Sequence, residues 1–262
     1  MQQNFRTELD PRLAVLEQGV GRVRRTADGV RLALECATDL QYSNAQLDDY
    51  LRRKEPFFTW RPPLRMTVRA WASHGVDQMQ GTAGFGFWTQ PVMPGKRLPI
   101  LPRAVWFFFS SPPSNMAFAR GIPGSGWKSA TFDAGRLPFL LLAPTAPLGF
   151  LLMRIPALYR ALWPVGQWAV GASESLLQVD WREPHTYRLD WLPGAAKFFV
   201  DDQLLHHAPY APRGPLGFVT WLDNRWAVVT PQGNLGMGLL PVPDRQWLTL
   251  EALTIDPITD PL

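Results

Sequence analysis

The sequence predicts an all-β sandwich of two packed antiparallel sheets, and three observations carry that expectation. Nine short runs rich in β-branched and aromatic residues spread over the 262 residues, separated by Gly, Pro, Asn or Asp. Within TYRLDWL, Tyr187, Leu189 and Trp191 alternate with Arg188 and Asp190, the period-two pattern of a strand with one wet face. An apolar fraction of 46% can fill a large core, while 26 Pro and only 18% charged residues describe a globular, turn-rich chain. One domain over residues 1–262 is the expected organisation.

Taken in order, VRLALECA (residues 30–37) is the first strong strand. Its Cys36 is the only cysteine, so no intrachain disulfide can form, and its apolar neighbours suggest a buried structural thiol. YSNAQLDDY (42–50) offers Tyr42, Asn44 and Gln46 on one face of a strand, suited equally to a site rim and to solvent. LRMTVRAWAS, AGFGFWTQ and AVWFFFSS follow as strands. In AVWFFFSS, Trp106, Phe108 and Ser110 share one face, and Val105, Phe107, Phe109 and Ser111 the other. Pro112 and Pro113 then stop the strand, so that Ser111, Ser114 and Asn115 present hydroxyl and amide groups for ligand hydrogen bonds.

From Leu137 to Ala172 the strand rhythm disappears, and only Arg154 and Arg160 carry charge. Prolines at 138, 144, 147 and 156 break this run too often for a membrane span. A short helix over Leu151–Trp163 is expected, with Leu151, Ile155, Leu158 and Leu162 along one side. The segment reads as a mostly helical or irregular apolar insertion, and three roles stay open for it. It caps the sandwich, closes as a lid over a pocket, or touches a membrane or partner.

The second half returns to strands. TYRLDWL and AKFFVDD form a hairpin with Pro193-Gly194 at its tip, and GFVTWLD, WAVVTP and QWLTLEALTI complete the set. His185 reads as a satisfied structural side chain. His206 and His207 point to opposite faces of a strand and find no third ligand in the pattern, so neither a metal nor a cofactor is expected. The net charge of +4 comes from scattered arginines with no nucleic-acid-binding motif, which argues against a nucleic-acid partner. The N-terminus has early acids and no long apolar core, so a cytoplasmic protein is expected, peripheral to a membrane if the insertion docks there.

HTYRLDWLPGAAKFFVDDQ (185–203), GTAGFGFWTQP (81–91) and GPLGFVTWLDNRWAV (214–228) together resemble the concanavalin A-like jelly roll of the family 16 glycoside hydrolases, laminarinase-type β-glucanases among them. The likeness covers roughly residues 30 to 255 apart from the insertion. In that family the strand after the GFGFW-like one carries Glu-x-Asp-x-(x)-Glu. Retaining hydrolysis needs two carboxyl groups about 5 Å apart, and alternate residues of one strand supply them. RAVWFFFSSPPSNM (103–116) stands at that place with no acid in either register, so the resemblance implies the fold and its departure argues against ordinary hydrolysis by this strand.

Two readings of the site follow. In the first, a concave cleft lined by Trp88, Trp106, Phe108, Trp221 and Trp226, with polar contacts from Ser111, Ser114, Asn115 and Asn224, binds, or transforms by non-hydrolytic chemistry, a largely apolar or glycosylated small molecule beneath the insertion. In the second, acids from other strands hydrolyse a glycan, with Asp223, set among aromatic residues, as the candidate. The residue pair Asp223-Asn224 also fits a plain turn. A membrane-surface or partner-docking module is the third possibility.

Overall fold

The computed structural model describes residues 1–91, 93 and 99–259. The last residues of the expected domain, 260–262, therefore lie outside the described residues. The first strands are β1 (Gln2–Asn4), β2 (Ala14–Gln18), β3 (Gly21–Thr26), β4 (Gly29–Leu34), β5 (Asn44–Asp48), β6 (Leu64–Ala72) and β7 (Thr82–Trp88). β8 (Arg103–Ser110) and β9 (Gly126–Asp133) lead into the helices α1 (Leu137–Leu142), α2 (Ala146–Leu152) and α3 (Pro156–Val170), with one 3-10 turn at Ala143–Thr145. Then come β10 (Ser173–Leu176), β11 (His185–Leu192), β12 (Ala195–Val200), β13 (Gln203–Ala208) and β14 (Gly217–Asp223). β15 (Arg225–Val229), β16 (Leu235–Leu239) and β17 (Gln246–Pro257) end the chain's regular structure.

Two antiparallel sheets form the jelly-roll sandwich. One runs β13, β12, β11, β6, β17, β4, β3, with β1 added to β17; the other runs β10, β9, β8, β7, β14, β5, β2. Their inner faces meet in an aromatic core. Phe85 and Phe107 from the second sheet contact Tyr187 of the first at ring centroid distances of 5.2 Å each, and Phe107 meets Phe198 at 5.3 Å. β6 alternates buried and half-buried residues along its whole length, as one face packs inward and the other stays wet.

β5, β7 and β14 behave differently, because nearly every residue in them is buried on both faces. The outer face of this sheet is covered, so the polar Asn44, Gln46 and Asp48 of β5 are enclosed rather than solvated. Period-two patterning cannot show this, since it reports side-chain polarity and not what later chain segments lay over it.

The insertion is mostly helical, as expected. Each proline that seemed to interrupt it sits at the first or second position of a helical turn, where a missing N–H costs nothing. The helix expected over Leu151–Trp163 is in fact divided. α2 ends at Leu152 and Pro156 opens α3, whose fifteen residues continue to Val170 with Pro164 inside. The flanking strands are direct neighbours, Thr131 of β9 opposite Ser173 of β10, so the three helices form one long excursion between paired strands. None of the helices is long and apolar enough to cross a membrane.

Cys36 departs from expectation. β4 ends at Leu34, and Cys36 takes a left-handed turn conformation (φ 55°) that leaves it exposed. His185 is satisfied, with Nδ1 2.5 Å from Asp201 Oδ2 and Nε2 3.1 Å from the Asp180 carbonyl oxygen. Asp201 and Asp202 both have positive φ, the conformation of a two-residue hairpin turn between β12 and β13.

Candidate functional site: an aromatic platform and an apolar cavity

β8 uses its two faces as the alternation requires. Phe107 and Phe109 enter the core between the sheets, while Trp106 and Phe108 join a second cluster on the outer, cleft face. Trp106 stacks on Phe108 (5.2 Å, 15° between planes) and contacts Trp221 at 5.2 Å and Trp88 at 5.9 Å. Two glycines of β7 make room for these rings. A Cβ on Gly86 would lie 2.5 Å from Trp106 Cβ, and one on Gly84 would lie 3.1 Å from the Trp221 ring. The platform is anchored by donors: Trp88 Nε1 donates to Tyr50 Oη (2.7 Å) and Trp221 Nε1 to Thr82 Oγ1 (2.9 Å).

Trp226 does not belong to this group. It lies on β15, in the separate β15–β16 hairpin, where its ring covers Gly236 and Gly238. The chain leaves the sheet at Asn224, so Trp221 and Trp226, the two ends of WLDNRW, lie in different sheets.

A polar row crosses the cleft face beside the platform. The strand register aligns Asn44, Asp223, Thr82 and Ser110 on four neighbouring strands. Asp223 accepts hydrogen bonds from Thr82 Oγ1 (2.7 Å), Tyr42 Oη (3.1 Å) and the Arg225 amide (3.1 Å). Burial nevertheless pushes its carboxyl above the usual range, with those donors and the Arg225 charge opposing. Asp48, on the adjacent strand β5 and the same face, is also raised by burial and accepts from the Leu51 amide (2.7 Å), Gln46 Nε2 (3.0 Å) and the Tyr50 amide (3.1 Å).

The register bears on hydrolysis. Asp48 faces Val219 on β14, four residues from Asp223, a separation of roughly 13 Å along the strand. That exceeds both the spacing of about 5–5.5 Å for retaining enzymes and the one of about 6.5–9.5 Å for inverting enzymes. A further carboxylate on this face, Glu174 of β10, is engaged in a buried pair with Lys128 (3.0 Å) and accepts from the Phe118 and Ala119 amides.

The serines expected to point outward turn inward. Ser111 Oγ accepts from the Gly81 amide (2.9 Å) and Ser114 Oγ from the Ala227 amide (3.3 Å), which fastens the loop after β8 to β7 and β15. Asn115 stays exposed, and its backbone pairs with β15 through Ala227 and Val229. Asn224 is fully buried: its Nδ2 donates to the carbonyls of Thr38, Gln41 and Leu240, and its Oδ1 accepts from Ser43 N. These contacts give Asn224 a role in holding loops together.

An apolar opening lies elsewhere, beneath the insertion. A half-open cavity of about 540 Å³ is bounded by α1–α3, the end of β9 and the β15–β16 hairpin. Phe132, Phe139, Met153, Trp163, Val170 and Pro231 are among its walls, and among the described residues no charged side chain lines it. Trp163 is fixed by a hydrogen bond from Nε1 to the Phe118 carbonyl (2.8 Å). Phe132 joins the two regions, for it lines the cavity and meets Trp106 edge-on at 6.0 Å. Sequence reading located the insertion by its missing charge, but not these walls, because which residues face inward depends on where α2 and α3 break.

No protein-family model and no curated protein sequence matches the chain. Solved structures do. The Crh5 transglycosylase aligns with a TM-score of 0.53 at 11% identity, over 100% of this chain and 85% of that one. The β-glucanase of Bacillus licheniformis aligns at 0.52 and 13% identity over 98% and 97%. A pseudo β-1,3-glucanase of Mycobacterium tuberculosis aligns at 0.51 and 10% identity over 98% of each chain. The fold is therefore the jelly roll of family 16-type structures, whose members here include glycan-active enzymes and a pseudo-glucanase. The likeness is one of architecture, and function rests on the residues of this chain's own site.

Proposed function

We propose that the protein binds a small molecule with a large apolar part, which occupies the cavity under α1–α3, and that β8 shapes the site without performing hydrolysis. The observation that carries this reading is the apolar cavity sharing its Phe132 wall with the Trp88–Trp106–Trp221 platform. A volume of about 540 Å³ falls within the range of roughly 300–1,000 Å³ common for ligand sites. A glycosylated ligand fits the same geometry, its sugar against the half-buried Trp88 and Trp106 faces and its apolar part in the cavity. Hydrolysis through Asp223 is the weaker reading, since the strand register sets Asp48 too far away to act with it.

Gly149 provides the test. It lines the cavity, and a Cβ there meets nothing within 4 Å. Gly149→Leu is expected to fill part of the cavity while leaving the fold intact, since leucine is also the better helix former. Titration with cis-parinaric acid should show saturable fluorescence enhancement with the natural chain and at least about tenfold weaker binding with Gly149→Leu. Equal binding by both proteins, with the variant folded, would refute the assignment of the cavity.

A further inference from the structure

The outer side of the insertion raises a separate question. Leu137, Leu141, Leu148, Leu151, Ile155 and Trp168 are 45–69% exposed, and Leu235 and Met237 of the β15–β16 hairpin more than 70%. Soluble proteins seldom leave so much contiguous apolar surface uncovered. The face is continuous with the cavity: Leu148, Val165 and Leu235 belong to its walls and yet stay largely exposed, so its mouth opens among them.

Charge indicates what covers this face. Between Asp133 and Glu174 the chain has Arg136, Arg154 and Arg160 and no acid. The two bounding acids are neutralised internally, Asp133 by Arg103 (3.2 Å) and Glu174 by Lys128 (3.0 Å). Arg120 adds a further exposed guanidinium beside Arg154 and Arg160, donating to the Arg160 carbonyl (3.3 Å), and the half-buried Arg136 lies over the Trp168 ring at 5.6 Å. An apolar surface with tryptophan at its margin and an uncompensated arginine rim is complementary to an anionic lipid surface, whose headgroups pair with the guanidiniums while the leucines enter the acyl boundary. We infer that α1–α3 docks the protein on an anionic bilayer, peripherally and with the cavity mouth toward the lipid. This inference stands apart from the cavity assignment, since it concerns the outer face and does not require a bound ligand.

Flotation of the full chain with equimolar phosphatidylglycerol–phosphatidylcholine vesicles tests it, using the double variant Leu141→Glu with Leu151→Glu. Both side chains are more than half exposed, so the variant is expected to keep its melting temperature. The natural chain should float with the anionic vesicles, about tenfold less with phosphatidylcholine alone, and about tenfold less when the two glutamates are present. Three results would overturn the inference: no flotation of the folded natural chain, unchanged flotation of the variant, or a dimer by light scattering that the same variant converts to monomer. The last would assign the face to a second copy of the chain.

Discussion

At the scale of single residues, two buried groups make stability depend on pH in opposite directions. His206 of β13 stacks on Phe198 at 5.2 Å and is held between Ser129 Oγ (2.9 Å) and Ser173 Oγ (2.8 Å), a bridge that ties the edges of the two sheets. Burial lowers its pKa to about 4. The unfolded chain takes up that proton near 6.5, so stability falls as pH drops from about 6.5 to about 4. Burial raises Asp49 to about 6, against the lowering effect of donors at Trp60 Nε1 and the Phe218 amide. Here the folded state binds the proton first, so stability is greatest below about 3.8 and is lost as pH rises through about 6. Each effect is worth about 3 kcal/mol at its limit, so between pH 4 and 6 they nearly cancel. Urea denaturation at pH 4.5 and pH 7 should separate them. Asp49→Asn is expected to lose stability on acidification more steeply than the natural chain, and His206→Gln to gain it. Parallel pH profiles for all three proteins would contradict both assignments.

At the scale of elements, the strands were legible and the helices only in outline. All nine strand runs became strands because their alternation and turn residues are local signals that burial then reinforces. The two faces of β8 were legible for the same reason, with Phe107 in the core and Trp106 in the cleft cluster. The inward turn of Ser111 and Ser114, the departure of Trp226 to another sheet and the exposure of Cys36 were not, since each depends on how a distant segment crosses the strand. The prolines do break the insertion into short helices, as expected, each at a helix start; the helix expected over Leu151–Trp163 failed because it ran through Pro156, which opens α3.

The insertion is also a separable element. Thr131 and Ser173 face each other across β9 and β10, so the helices leave and return at adjacent positions. Replacing residues 137–170 with a short Gly-Ser turn is expected to preserve the strand signal in far-ultraviolet circular dichroism and a single cooperative melting transition, while abolishing cis-parinaric acid binding. Loss of that transition would show that the helices are needed for the sandwich itself.

At the scale of the whole molecule, a jelly roll has its outer sheet face filled with tryptophan and phenylalanine, and an apolar cavity lies under its helical excursion. The register of β5 against β14 separates the buried acids, whereas Phe132 brings the aromatic platform to the cavity wall. The buried acids and the apolar cavity thus lie in different parts of the fold. The central claim is that ligand enters this cavity, and a crystal structure of the protein soaked with 12-bromododecanoic acid tests it most directly. The account predicts an anomalous bromine peak enclosed by α2, α3 and Phe132; a peak confined to the polar row of Asn44, Asp223, Thr82 and Ser110, or an empty cavity at saturating ligand, would contradict it.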